Sequence, residues 1–174
     1  IGLDGSDLKQ ITFDGGTSQS VTPDGNWIFY KRDNSIWKIP IDGGTPVEVV
    51  KKTTRGIEIS PDGRMFATFY RPAKEEKLKL AVFPSEGGEP TYLFDTAADL
   101  PSEKLRWTPD SKSVVYCFYN STAWKQNIAG GPPEKFLEFP GEIINAFDWS
   151  RDGKLFAAAH GQELRDVVLF SVTK

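Results

Sequence analysis

Cysteine, histidine and methionine each occur once in the 174 residues, and that scarcity removes several kinds of chemistry at the outset. A single cysteine permits no internal disulfide and no cysteine-rich metal site; Cys117, in an alternating apolar stretch, reads as a small buried hydrophobe. The lone His160 follows a run of alanines at the end of an expected strand, with no Gly-x-Ser-x-Gly nucleophile elbow anywhere, so it reads as a loop or channel-rim residue and no catalytic set is expected. Lys and Arg form no stripe and the net charge is −3, so nucleic acid is not an expected partner. No apolar run reaches the roughly 20 residues a membrane-crossing helix needs. No window carries apolar residues at i, i+3, i+4 and i+7 between caps, which argues against a TIM barrel or any other α/β fold. The chain shows no signal-peptide pattern, and its opening at Ile1 rather than Met is read as room for an upstream segment.

What is present is aromatic and punctuated. Apolar residues make up 39% and aromatic residues 13%, enough for a packed core in one domain. The stretch Ser60-Pro61-Asp62-Gly63 leads straight into Met65 to Tyr70, and variants recur: Thr22-Pro23-Asp24-Gly25 before Trp27, Thr108-Pro109-Asp110-Ser111 before Val114, and Ser150-Arg151-Asp152-Gly153 before Leu155. Proline presets φ for a turn, aspartate bonds the backbone just ahead of it, and glycine accepts positive φ. Asp24, Asp62, Asp110 and Asp152 are therefore expected to be structural turn residues; no Asp-x-Asp-x-Asp-Gly series accompanies them, so no metal is expected. They stand 38, 48 and 42 residues apart, the spacing of a repeat architecture. A second turn signal repeats in phase as Asp42-Gly43-Gly44, Glu86-Gly87-Gly88 and Ala129-Gly130-Gly131, with a version at Asp4-Gly5; each precedes a strand rather than a helix, so none is a phosphate cradle.

Each complete repeat contains four strand-like segments. The expected units are about 13–50, 51–94, 95–139 and 140–174, within a single domain spanning 1–174. Repeated four-stranded antiparallel sheets of about this length are the blades of a β-propeller, which predicts an all-β propeller with four repeats in this chain. The last unit lacks its fourth strand, while Leu8 to Thr12, within an orphan segment 1–12, reads as a strand without a sheet. Pairing it with Val167 to Val172 closes the set, within one chain or between two as a homodimer forming a larger ring. The residue before each turn, Val21, Ile59, Trp107 or Trp149, is large and apolar, as expected where sheets pack face to face.

The pattern Trp149-Ser150-Arg151-Asp152-Gly153-Lys154-Leu155-Phe156-Ala157, together with Ser35 to Gly44, resembles the PD40 repeat of TolB-like, WD40-like β-propellers. Within that family the ending Leu164-Arg165-Asp166-Val167-Val168-Leu169-Phe170 looks most like the last repeat of propellers at the C-termini of bacterial Ser/Thr protein kinases. The resemblance implies a non-enzymatic, cofactor-free binding or scaffold module, the sensory or protein-interaction part of a larger, extracytoplasmic or periplasmic bacterial protein. The alternatives it leaves open are the substrate-gating propeller of a prolyl-oligopeptidase-like peptidase and a TolB-like periplasmic interaction domain. The candidate binding surface comes from the first strand of each unit, where polar or small residues alternate with the apolar set. Glu58, Lys104, Arg106 and Asp148 are expected to face the central channel, Glu58, Arg106 and Asp148 pairing with one another across the axis or with a protein partner or small ligand. The loops Arg71 to Lys77 and Asp95 to Ser102 are further candidate contact surfaces.

Overall fold

A computed structural model describes residues 6, 8–51, 53–72, 77–97, 101–118 and 121–162. The Asp4-Gly5 turn, the centres of the two candidate loops, the kinase-like ending and Val167 to Val172 lie outside the described residues. Among those described there is no helix, hence none long and apolar enough to cross a membrane.

The chain is all-β. The first sheet contains β1 (Thr17–Val21), β2 (Trp27–Arg32), β3 (Ser35–Pro40) and β4 (Val47–Val50). The second contains β5 (Thr53–Ile59), β6 (Met65–Tyr70), β7 (Lys79–Pro84) and β8 (Tyr92–Asp95). The third contains β9 (Pro101–Trp107), β10 (Ser113–Phe118), β11 (Thr122–Asn127) and β12 (Glu134–Glu138). Two strands of a fourth follow, β13 (Ile143–Trp149) and β14 (Phe156–Gly161). Every sheet is an antiparallel meander in chain order.

The second sheet shows why the runs after each turn are apolar throughout rather than alternating. Side chains on a strand point to opposite faces in turn. Phe66 and Tyr70 of β6, with Ala81 and Phe83 of β7, meet Phe29, Ile36, Val49 and Val50 of the first sheet. Ala67 and Phe69, with Leu80 and Val82, meet Leu105, Trp107, Val114 and Tyr116 of the third. Both faces are buried, so both phases of the alternation are apolar. A third layer, with Val115, Cys117, Ala123, Ile144 and Phe147, joins the third sheet to the fourth. Aromatic pairs bridge these layers, Phe29 to Phe66 at 5.4 Å and Phe69 to Tyr116 edge-on at 5.9 Å between ring centroids.

The first strands of successive sheets lie side by side, β1 beside β5, β5 beside β9 and β9 beside β13, forming an open arc. The residue before each turn packs against the preceding sheet. Ile59 and Trp107 are buried on that account and Trp149 is half-buried. Val21, expected to be packed like them, is 51% exposed, because no described sheet precedes its own. Leu8 to Thr12 form no strand. This segment runs across the outer face of the first sheet by Ile28, Tyr30 and Ile39, and its Lys9 ammonium donates to the Asp42 carbonyl. Leu155, expected to open the last strand, is 70% exposed and lies in the turn instead.

Candidate functional site

The four turns share one hydrogen-bond plan. In the second, the Ser60 hydroxyl donates to Asp62 Oδ1 at 2.6 Å, the Arg64 amide donates to the same oxygen at 3.1 Å, and the Met65 amide donates to Ser60 Oγ at 3.0 Å. Thr22 and Asp24, Thr108 and Asp110, and Ser150 and Asp152 repeat it. Donors aimed at a carboxylate favour its charged form. The Thr22, Thr108 and Ser150 hydroxyls, followed by backbone amides, hold Asp24, Asp110 and Asp152 below the usual range; at Asp62 burial pushes the other way and is outweighed by Ser60 and the Arg64 amide. These aspartates hold their turns together, chiefly through Oδ1. Ser111, standing where the other turns have glycine, adopts φ 58°, and its hydroxyl accepts the Asp62 amide at 3.1 Å, tying the third turn to the second.

The inner strands carry the polar row. Arg106 Nη1 stands 3.3 Å from Glu58 Oε2 and its Nε stands 3.3 Å from Asp148 Oδ2, so β9 supplies one guanidinium between carboxylates from β5 and β13. The three come together as neighbours along the arc, rather than across an axis as the sequence led us to expect, because consecutive first strands are adjacent. Lys104 is placed differently, its ammonium donating to the Ile144 carbonyl at 3.1 Å. Backbone ties fix the same strands: the Ile59 amide donates to Ser20 Oγ at 3.3 Å, and the Trp107 indole donates to the Glu58 carbonyl at 3.0 Å.

Electrostatically the row is uneven. Burial pushes the Glu58 carboxyl up, Arg106 pulls it down and Asp148 pushes it up again, leaving it at about 7. Its side chain is 25% exposed, against 67% for Asp148. The row thus offers a fixed cation, a carboxylate poised to change charge near neutrality, and an exposed carboxylate whose Oδ2 faces Arg106 while its Oδ1 accepts the Trp149 amide at 2.8 Å, leaving the exposed ion pair open to exchange with a partner's acid. A cavity of about 210 Å³ adjoins it, lined by Trp107, Trp149 and Arg151 among others.

Two features were missed from sequence. His160 lies within β14, stacked on Phe139 with ring centroids 3.7 Å apart and with Nδ1 against the Glu142 carboxylate, so it belongs to a strand rather than a loop or channel rim. Lys38 of β3 is buried, its ammonium 2.7 Å from Glu86 and 5.1 Å from the Trp27 ring. Aligning the repeats gives the signal that reveals it: the second unit has the fully buried Val82 at the same register position, opposite Ala67 as Lys38 is opposite Phe29.

No family model matches the chain. It is 31% identical over 103 residues to an uncharacterized protein of Agrobacterium fabrum, a match covering 55% of this chain and 33% of that one. It superposes on a putative TolB from Agrobacterium tumefaciens with a TM-score of 0.69 at 22% identity, over 83% of this chain and 53% of the other. An oligogalacturonate lyase solved in complex with manganese gives 0.64 at 14% identity, over 83% and 46%. The Cps50 (Swd1) β-propeller domain of Myceliophteria thermophila gives 0.62 at 11%, over 86% and 50%. The chain therefore has the sheet arrangement of a β-propeller, and it spans a third of the curated relative it matches and about half of these solved structures.

Proposed function

We propose that this chain is a binding module: propeller sheets that present the Glu58, Arg106 and Asp148 row to a protein partner, as the sensory or interaction part of a larger extracytoplasmic bacterial protein such as a Ser/Thr kinase. The observation that carries it is the geometry of the row itself. A guanidinium held between one half-buried and one exposed carboxylate is a preformed site for a partner's acidic group, since the exposed Arg106–Asp148 pair is weak and Asp148 keeps its Trp149 amide bond when its place on Arg106 is taken. The likeness to a putative TolB and to the Cps50 (Swd1) propeller domain supports the propeller frame on which this reading rests. Among the described residues, the exposed Val21 of the first sheet and Ala157 of the fourth support a larger ring, completed by further sheets or by a second copy.

Site-specific photocrosslinking in a bacterial host tests this. A photoreactive residue at Ala146, beside the row, is expected to capture one discrete protein, and the adduct is expected to fade when Arg106 is changed to Met. The same probe at Glu134, on an outer strand, is expected to capture nothing. Equal labelling at both positions, or none at Ala146, contradicts the proposal.

A further inference from the structure

A groove of about 450 Å³ lies elsewhere, between the first two sheets on the side of the turns. Its volume is that of a small-molecule site. Lys38 forms its inner wall. Burying a lysine costs free energy that the repeat avoids at the equivalent Val82, and such departures from a local rule concentrate where a protein binds something. The Lys38 side chain is 10% exposed, and its ammonium donates to Glu86 Oε2 at 2.7 Å and to the Ser85 carbonyl at 3.3 Å beside the Trp27 ring. Glu86, by contrast, is 86% exposed. A buried ammonium with an almost fully solvated partner is a charge whose counter-ion is easily exchanged.

The rest of the lining says what exchanges with it. Lys38 is the sole cation among the lining residues, while Asp24 and Asp62, both held in the charged form by their turns, face the same groove. A simple anion replacing Glu86 meets these two carboxylates, and a simple cation meets the buried ammonium. A molecule bearing both charges satisfies each end, and the Trp27 and Phe29 rings leave room for an apolar body between them. We propose that the groove holds a small zwitterion of the α-amino acid type, its carboxylate on the Lys38 ammonium in place of Glu86 and its ammonium toward Asp24 and Asp62. Glu86 then acts as an internal competitor that occupies Lys38 until the ligand arrives. The groove shares no residue with the Glu58, Arg106 and Asp148 row, so the two proposals stand or fall separately.

Titration calorimetry of the intact protein with L-leucine, N-acetyl-L-leucine and L-leucinamide tests this. Leucine is expected to bind saturably. Removing either charge is expected to weaken binding on the order of tenfold, as is Lys38→Met, since each deletes one charged hydrogen bond. Lys38→Met keeps the buried volume, and circular dichroism reports whether it folds. Glu86→Gln, at an exposed position, removes the competitor and is expected to tighten binding several-fold. Absence of saturable binding by both the wild type and Glu86→Gln overturns the proposal. So does leucinamide binding as tightly as leucine, or folded Lys38→Met binding unchanged.

Discussion

The Trp107 indole donates to the Glu58 carbonyl at 3.0 Å, whereas the buried indole N–H of Trp149, one repeat later, has no acceptor among the described residues. Trp107 is also 3% exposed, while Trp149 is half-buried against Phe136 and Phe156. Position for position, the same residue type contributes unequally. Trp107→Ala is expected to cost about 3 to 5 kcal/mol, the range of large core truncations, and Trp149→Ala about 2 kcal/mol. Val21→Ala, at the exposed counterpart, is expected to cost less than about 0.5 kcal/mol. Urea denaturation of the three variants checks the order, and a loss at Val21 equal to that at Trp107 contradicts it.

Turn glycines differ in the same graded way. Gly25 and Gly153 both have positive φ, at 73° and 70°. A Cβ on Gly25 meets nothing within 4 Å, but one on Gly153 falls 2.7 Å from the Pro109 Cβ of the preceding turn. Gly25→Ala therefore bears only the backbone strain, about 1 kcal/mol, while Gly153→Ala adds an overpacking cost and is expected to lose about 2 to 4 kcal/mol. Equal losses in parallel melts rule out the turn-to-turn contact.

Acid is expected to open the turns. Asp62 and Asp110 have folded-state values below 3.8, so their contribution to stability is present above about 3.8 and is lost as pH falls through the depressed values. Replacing both by Asn abolishes that titration. The double variant is expected to be less stable at neutral pH and to show a shallower loss below pH 4, read by circular dichroism across an acid series; an unchanged slope contradicts the assignment.

How much of this was legible follows from the range of the forces involved. The turns were fully readable, because Ser60, Asp62 and Gly63 satisfy one another within a few residues. Period-two alternation also placed Glu58, Arg106 and Asp148 on one side of their strands. It did not give their spacing, since adjacency of β5, β9 and β13 arises from stacking of whole sheets. Lys38 went unnoticed for the same reason, since its burial comes from Ser85 and Glu86 of the next sheet. Leu8 to Thr12 has strand-like composition, but strand formation depends on pairing and packing beyond the segment, and here it lies against the face of the first sheet instead.

The row on the inner strands is tested most directly by the titration of Glu58, followed through its side-chain carboxyl carbon by NMR. Glu58 is expected to titrate at about 7, raised by burial from the ordinary 4.5. Arg106→Met is expected to move it higher and Asp148→Asn lower, since the first removes an attracting charge and the second a repelling one. A raised acid makes the folded state bind its proton more tightly, so this contribution to stability is full below about 4.5 and is lost as pH rises to about 7. Glu58→Gln is accordingly expected to flatten the stability profile across that window. A Glu58 value near 4.5 that ignores both neighbours contradicts the account, because it places the carboxylate in water and dissolves the row.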